Sequence, residues 1–228
     1  MKNFSELGIS KSLLQVLPEL GFEKPSPIQD QSIPLLTEKP RDFIGLAQTG
    51  TGKTAAFGLP LLDWIDIGER TTQALILAPT RELGQQIAGQ LEIFAKYLPN
   101  IQIQSVYGGA SIVVQMKDIK RKTPQIVIAT PGRLLDLMRR KVLDLSTIRF
   151  VVLDEADEML NMGFKEDLDD VIGRSFESNG LIFLYRFRRP AGLDDRQKWA
   201  GEDPRRSLPC VALGKTHQPL DAICSLPW

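Results

Sequence analysis

Histidine and cysteine are nearly missing from these 228 residues, with one His and two Cys. Two cysteines cannot build a disulfide framework. The lone imidazole, His217, has no surrounding pattern that suggests a catalytic triad. Charge of one sign is also lacking. The 28 basic and 28 acidic residues cancel, and the pI near 6.6 gives no global sign of a polyanion partner. No apolar run approaches the ~18 residues that a membrane span needs. The start, Met1-Lys-Asn-Phe-Ser-Glu6, has no apolar stretch of the kind that begins a secretory leader. The default expectation is therefore a cytoplasmic protein with no membrane partner, and no oligomer is predicted. An apolar content of 43% excludes a mostly disordered chain. The length suffices for one domain with a sizeable core and an appendage.

What is present is unevenly placed. Cys210, Cys224, His217, Trp199 and Trp228 all fall in the last 54 residues, which hold six Arg against two Lys. Residues 1–174 hold nine Arg against eleven Lys and read as alternating strands and helices. Short apolar runs at 42–47, 73–78, 101–107, 125–129 and 149–153 suit buried parallel strands. Between them, Leu83, Ile87, Leu91 and Phe94 recur at spacings of four, four and three, which predicts a helix over 82–94. A second helix is predicted over 133–139. The alternation predicts an α/β fold with a mostly parallel sheet flanked by helices on both faces. Ligands of such sheets bind beyond the carboxyl ends of the strands.

The motifs all sit at such ends. After the first strand comes Ala47-Gln-Thr-Gly-Thr-Gly-Lys-Thr54, a phosphate-binding loop except that Ala47 replaces its first Gly. Thr49, Gly50, Thr51 and Gly52 form a tight turn whose N–H groups can face phosphate, and the helix beginning near Gly52 presents its positive end. Lys53 can reach the β- and γ-phosphates, and the Thr54 hydroxyl can ligate Mg²⁺. A hundred residues on, the apolar strand Val151-Val-Leu153 ends in Asp154-Glu155-Ala156-Asp157. Asp154 would hold Mg²⁺, and Glu155 would orient or deprotonate an attacking water. A solvated acidic helix start is the alternative for this second motif.

Together these two motifs resemble the signatures of the DEAD-box RNA helicases, and further segments agree in the family's order. Gly21-Phe22-Glu-Lys-Pro25-Ser-Pro-Ile28-Gln29 is similar to the Q motif, and Phe4 stands where the family keeps an upstream aromatic. Pro79-Thr80-Arg81-Glu82-Leu83 resembles motif Ia, Gly108-Gly109 the glycine doublet, and Thr130-Pro131-Gly132-Arg133 motif Ib. The resemblance implies a RecA-like P-loop domain and an ATP hydrolase with ATP and Mg²⁺ as cofactors. It implies Lys53, Asp154 and Glu155 as catalytic, with Thr54 and Asp154 holding the metal. It implies that Gln29 reads adenine, that Phe4 packs on the ring, and that Phe22 and Pro25 line the same pocket. Phe4 as a core anchor stays open beside that role. Asp157 is implied to couple the acidic motif to its neighbours. Pro79, Thr80, Arg81, Gly109, Thr130, Pro131, Gly132 and Arg133 are implied to line an RNA backbone path with little sequence specificity. Helix capping competes as a reading of Thr80 and Thr130, and solvated ion pairing as a reading of Arg81 and Arg133.

The expected organisation is a RecA-like ATP-binding domain over 1–184, including the Q-motif segment 1–29, followed by a divergent tail over 185–228. The strand expected at Leu181–Leu184 is followed by Tyr185-Arg-Phe-Arg-Arg189, where the family has Ser-Ala-Thr. No second RecA-like domain follows within these residues. The tail reads as out-of-frame translation, an unstructured extension, or an Arg/aromatic RNA-binding stretch. Cys210, His217 and Cys224 fall one short of the four ligands that structural zinc takes, so no zinc is expected.

Overall fold

A computed structural model describes residues 2–39, 43–47, 50–176, 181–186 and 210–212, without the side chains of 44, 46, 172–176, 181–186 and 210–212. Two N-terminal helices, α1 (Lys11–Val16) and α2 (Pro27–Glu38), precede the first strand, β1 (Phe43–Leu46). The alternation that follows is α3 (Lys53–Trp64), β2 (Ala74–Leu77), α4 (Arg81–Phe94), β3 (Ile103–Val106), α5 (Ile112–Arg121), β4 (Ile126–Ala129), α6 (Pro131–Arg139) and β5 (Phe150–Asp154). It continues with α7 (Ala156–Asn161), α8 (Lys165–Phe176), β6 (Leu181–Arg186) and β7 (Cys210–Ala212).

The seven strands form one sheet in the order β3-β4-β2-β5-β6-β1-β7, and every pairing is parallel. Successive residues of a strand face opposite sides, so continuous apolar runs serve two cores at once. Ala74, Ile76, Ile126, Ile128, Phe150 and Val152 enter one core, with Ala56, Phe57 and Leu59 of α3 and Ile87 and Leu91 of α4. Leu75, Leu77, Val127, Val151 and Leu153 enter the other, with Ile119 of α5, Leu134 and Leu137 of α6, Met159 of α7 and Leu168 of α8. The α/β fold with helices on both faces is as expected.

Two strands complete the described C-terminal part. The strand expected to stop at Leu184 runs to Arg186, inserted between β5 and β1, with Tyr185 in register with both Asp154 and Gly45. Cys210–Ala212, within the stretch expected to be unstructured or out of frame, pairs in parallel with Ile44–Leu46. Pairing there satisfies backbone groups that β1 would otherwise expose at a sheet edge. His217, Cys224 and Phe187–Arg189 lie outside the described residues.

Candidate functional site

Because every strand runs the same way, the carboxyl ends of β1 to β6 form one edge, and every motif lies along it. The strand order divides that edge. The phosphate loop follows β1 and the acidic motif ends β5, with only β6 between them. The segments after β2, β3 and β4 are neighbours on the other half.

At the phosphate loop, Gly52 caps α3 with φ +87°, a left-handed conformation that side chains rarely adopt. A Cβ there would also lie 2.3 Å from Gln29 Nε2. Gln29 is buried, donates from Nε2 to the Gly52 carbonyl at 3.1 Å, and accepts at Oε1 from the Ser26 N–H at 2.9 Å. The start of α2 is thereby fastened to the start of α3. Lys53, the first residue of α3, is buried, and its Nζ lies 3.8 Å from Asp154 Oδ1. That distance suits an ion pair and exceeds a hydrogen bond. Neither atom has a hydrogen-bond partner. A buried ammonium and carboxylate each left without one are costly in isolation. The pair fits a phosphate beside Lys53 and a hydrated Mg²⁺ beside Asp154, with the half-buried Thr54 one residue along.

Burial acts first on Asp154. It pushes the carboxyl up to about 6, against the attraction of Lys53 and with the help of Glu155. Glu155 itself sits at φ 54°, ψ 47°, and its carbonyl accepts from the Glu158 and Met159 N–H groups to begin α7. A non-glycine residue in this region carries strain of ~1–3 kcal/mol, held here between the end of β5 and the start of α7. Asp157 is half-buried in the first turn of α7.

On the other half of the edge, Thr80 caps α4, its hydroxyl accepting from the Leu83 N–H at 3.3 Å. Thr130 precedes α6 with no such bond, leaving its hydroxyl out of capping. Pro79 and Pro131 are buried, whereas Gly109 and Gly132 are exposed. Arg81 is exposed and pairs with Glu82, and a Cβ on Gly109 would lie 3.7 Å from its Nη1. Arg133 is not a solvated ion-pair partner. It donates from Nη1 to Gln115 Oε1 at 2.6 Å and from Nη2 to the Ala110 carbonyl at 3.0 Å. Gln115, 7% exposed, donates in turn to the Tyr107 carbonyl at 3.3 Å. The glycine doublet is thus clamped on both sides from α5 and α6. Sequence reasoning missed Gln115. Its signal was a polar residue among Ile112, Met116 and Ile119, the inward stripe of α5.

Phe4 is 6% exposed, meets Phe22 edge-on with ring centroids 5.9 Å apart, and belongs to the core that α3 and α4 share. Phe22 in turn meets Phe94 at 6.0 Å. This geometry favours the core-anchor reading of Phe4. Phe22 stays half-exposed, and Pro25 is buried. Thr49 lies outside the described residues, while Gly50 and Thr51 continue the turn into Gly52.

A family profile described as DEAD/DEAH box helicase matches residues 26–184, more than half of the chain. The chain belongs to this family. Among similar family members, the ATP-dependent RNA helicase DeaD of Klebsiella pneumoniae is 50% identical over 171 residues, 75% of this chain and 26% of that protein. The DEAD-box ATP-dependent RNA helicase CshA of Streptococcus pneumoniae is 53% identical over 181 residues, 79% of this chain and 34% of that protein. The chain therefore spans about a quarter to a third of the helicases it matches. A DEAD box protein from Methanococcus jannaschii superposes with a TM-score of 0.76 at 40% identity, covering 82% of this chain and 50% of that one. The RNA helicase Prp28 from Chaetomium thermophilum, solved bound to ADP, gives 0.75 at 39%, covering 84% and 46%. The RecA-like fold that the motifs implied is shown by these neighbours. Among the described residues, no helix is long and apolar enough to cross a membrane.

Proposed function

We propose that this chain is the ATP·Mg²⁺-binding domain of an ATP-dependent RNA helicase, and that it contacts RNA through backbone phosphates with little sequence preference. The observation that carries the reading is the buried Lys53–Asp154 pair, whose polar atoms lack hydrogen-bond partners at the end of the phosphate loop. Lys53 neutralises phosphate oxygens, and Thr54 and Asp154 hold Mg²⁺, which when bound offsets charge on the phosphoryl group. Glu155 orients the attacking water and takes its proton. Gln29 has spent one N–H on Gly52 and one lone pair on Ser26, which leaves one of each for the edge of adenine. Guanine offers two acceptors there, N7 and O6, so the remaining Gln29 lone pair would face an acceptor. Relatives named as RNA helicases, and an ADP-bound neighbour, support the same reading.

The test is a melting series of the 228-residue chain with Mg²⁺ and either ATP or GTP. ATP is expected to raise Tm more than GTP. Gln29→Ala is expected to abolish that preference and to lower Tm without nucleotide, because it also cuts the tie between α2 and α3. An unchanged preference removes the adenine contact. No stabilisation by ATP in the parent chain sinks the whole reading.

Turnover is a separate matter. The Arg groups that stabilise charge on a transferring phosphoryl group are worth ~10³–10⁵ in rate where they operate, and the family supplies them from a second RecA-like domain. Among the described residues there is one sheet and no second such domain. We propose that the chain alone binds ATP with little hydrolysis and does not unwind duplexes. An RNA-stimulated phosphate-release assay on the isolated chain checks this, and clear stimulation overturns it. A module that binds ATP and RNA without turnover is the second reading, and intact Lys53 and Glu155 weigh against it. As a cytoplasmic protein the chain would meet both ligands.

A further inference from the structure

The chain is neutral overall, yet residues 117–141 hold eight basic residues against two acidic ones. Arg133 is turned inward onto Gln115 and Ala110. The others are exposed, and six of them stand on or just beyond the later turns of two helices. Lys117, Lys120 and Arg121 lie at positions i, i+3 and i+4, so they share one face of α5 near its end. Arg139 ends α6, and Arg140 and Lys141 follow it.

The Arg133–Gln115 hydrogen bond joins the first turns of α5 and α6, so the two helices start side by side. Both follow strands of the same direction and pack into the same core through Ile119, Leu134 and Leu137. The basic residues lie two to six residues past Gln115 and six to eight past Arg133, a rise of up to ~10 Å along each helix. Asp118 pairs with Arg121 at 3.5 Å, and Asp136 and Asp144 are exposed. The acidic residues of the first half of α8, which packs against α6, are Glu166, Asp167, Asp169 and Asp170, so the α5 side of the strip is the less opposed. Cations in a last helical turn answer the helix dipole, which accounts for Lys120, Arg121 and Arg139. It does not account for Lys117, a turn earlier, or for Arg140 and Lys141, beyond the end of α6.

We propose that this strip is a second RNA-backbone contact, into which the path over Gly109 and Arg133 continues along α5 and α6. The inference rests on the RNA reading above and extends it. RNA is favoured over an anionic membrane because the same two helices carry the glycine doublet and motif Ib at their other ends. Few phosphates fit the motif path of one domain, and the strip lengthens that footprint.

The test is fluorescence anisotropy of the 228-residue chain with labelled oligouridylates over a salt series. One oligomer reaches both ends of the helices, and one is too short to do so. Lys120→Glu with Arg140→Glu is expected to weaken binding of the long oligomer about tenfold. It should also flatten the slope of log K against log salt by about 1 to 1.5, at ~0.7 per lost contact on a single strand. Binding of the short oligomer should change little. Lys2→Glu with Lys11→Glu, the same charge change elsewhere, controls for net charge. If the strip variant matches this control, the inference is overturned. Arg81→Ala separates the two layers. When Arg81→Ala weakens both oligomers and the strip variant weakens neither, only the extension falls. When neither has an effect, or the parent binds no RNA, the RNA reading falls with it.

Discussion

Lys53→Ala is expected to cut the thermal stabilisation that ATP·Mg²⁺ gives this chain to about half or less. At ATP about 100 times Kd, the parent should gain ~2.7 kcal/mol. At ~2–4 °C per kcal/mol for a chain of this size, that is a Tm rise of ~5–10 °C. The variant loses the buried ammonium that stands 3.8 Å from Asp154 and has no hydrogen-bond partner of its own. A charge-assisted contact of this type is worth ~1.5–3 kcal/mol, so affinity should fall ~10- to 100-fold. Breaking a buried ion pair often costs ~3–5 kcal/mol of stability, because the other charge is stranded. The loss should be smaller here. Asp154 already sits at about 6 with Lys53 beside it. Without that attraction it rises further and takes up a proton near neutral pH, so no naked charge remains. The melt without nucleotide should therefore shift modestly while the ligand response falls from ~2.7 to ~0.4–1.4 kcal/mol at the same ATP. An undiminished ATP response in Lys53→Ala would detach the phosphate loop from nucleotide binding.

The parts of the site that were legible in the sequence are those fixed by backbone chemistry. Five strands were read to within a residue or two at most ends, β2, β4 and β5 most plainly, because a strand buried on both faces must be a continuous apolar run. The phosphate loop was legible because Gly52 occupies a conformation that few other residues tolerate. Side-chain partners were less legible, since they depend on which elements lie side by side. Thr80 and Thr130 look alike in sequence, yet one hydroxyl caps its helix and the other does not. Arg133 reads as a surface cation until Gln115, eighteen residues upstream, is known to face it. Phe4 was left between an adenine contact, implied by resemblance, and a core anchor, and its burial against Phe22 follows from how the first helices pack. The tail was judged by composition, which carries no information about a strand contributed to a sheet edge, as Cys210–Ala212 is to β1.

The second large effect concerns Asp154, whose carboxyl is raised by burial from 3.8 to about 6. A carboxyl whose folded-state pKa lies above its unfolded value binds its proton more tightly when folded. Its contribution therefore favours folding below about 4, and is lost as pH rises from about 4 to about 6. Above that window the ionised group is a standing penalty of ~3 kcal/mol, from roughly two pKa units at 1.36 kcal/mol each. Asp154→Asn mimics the protonated acid at every pH. Without nucleotide it should be more stable than the parent at pH 7.5, by up to ~3 kcal/mol, with the gap closing as pH falls toward 4. Mg²⁺ needs the ionised carboxylate, so the order should reverse with the ligand. ATP·Mg²⁺ should stabilise the parent strongly and the variant weakly. In the parent, affinity should be level above pH about 6 and fall up to tenfold per unit below it. Paired melts at pH 7.5 and pH 5, with and without ATP·Mg²⁺, measure all of these. Equal or lower stability of Asp154→Asn at pH 7.5 without ligand would show that the carboxylate is not held against its own solvation. In that case the stability that this site gives up in readiness for a cation would have to be sought at other residues.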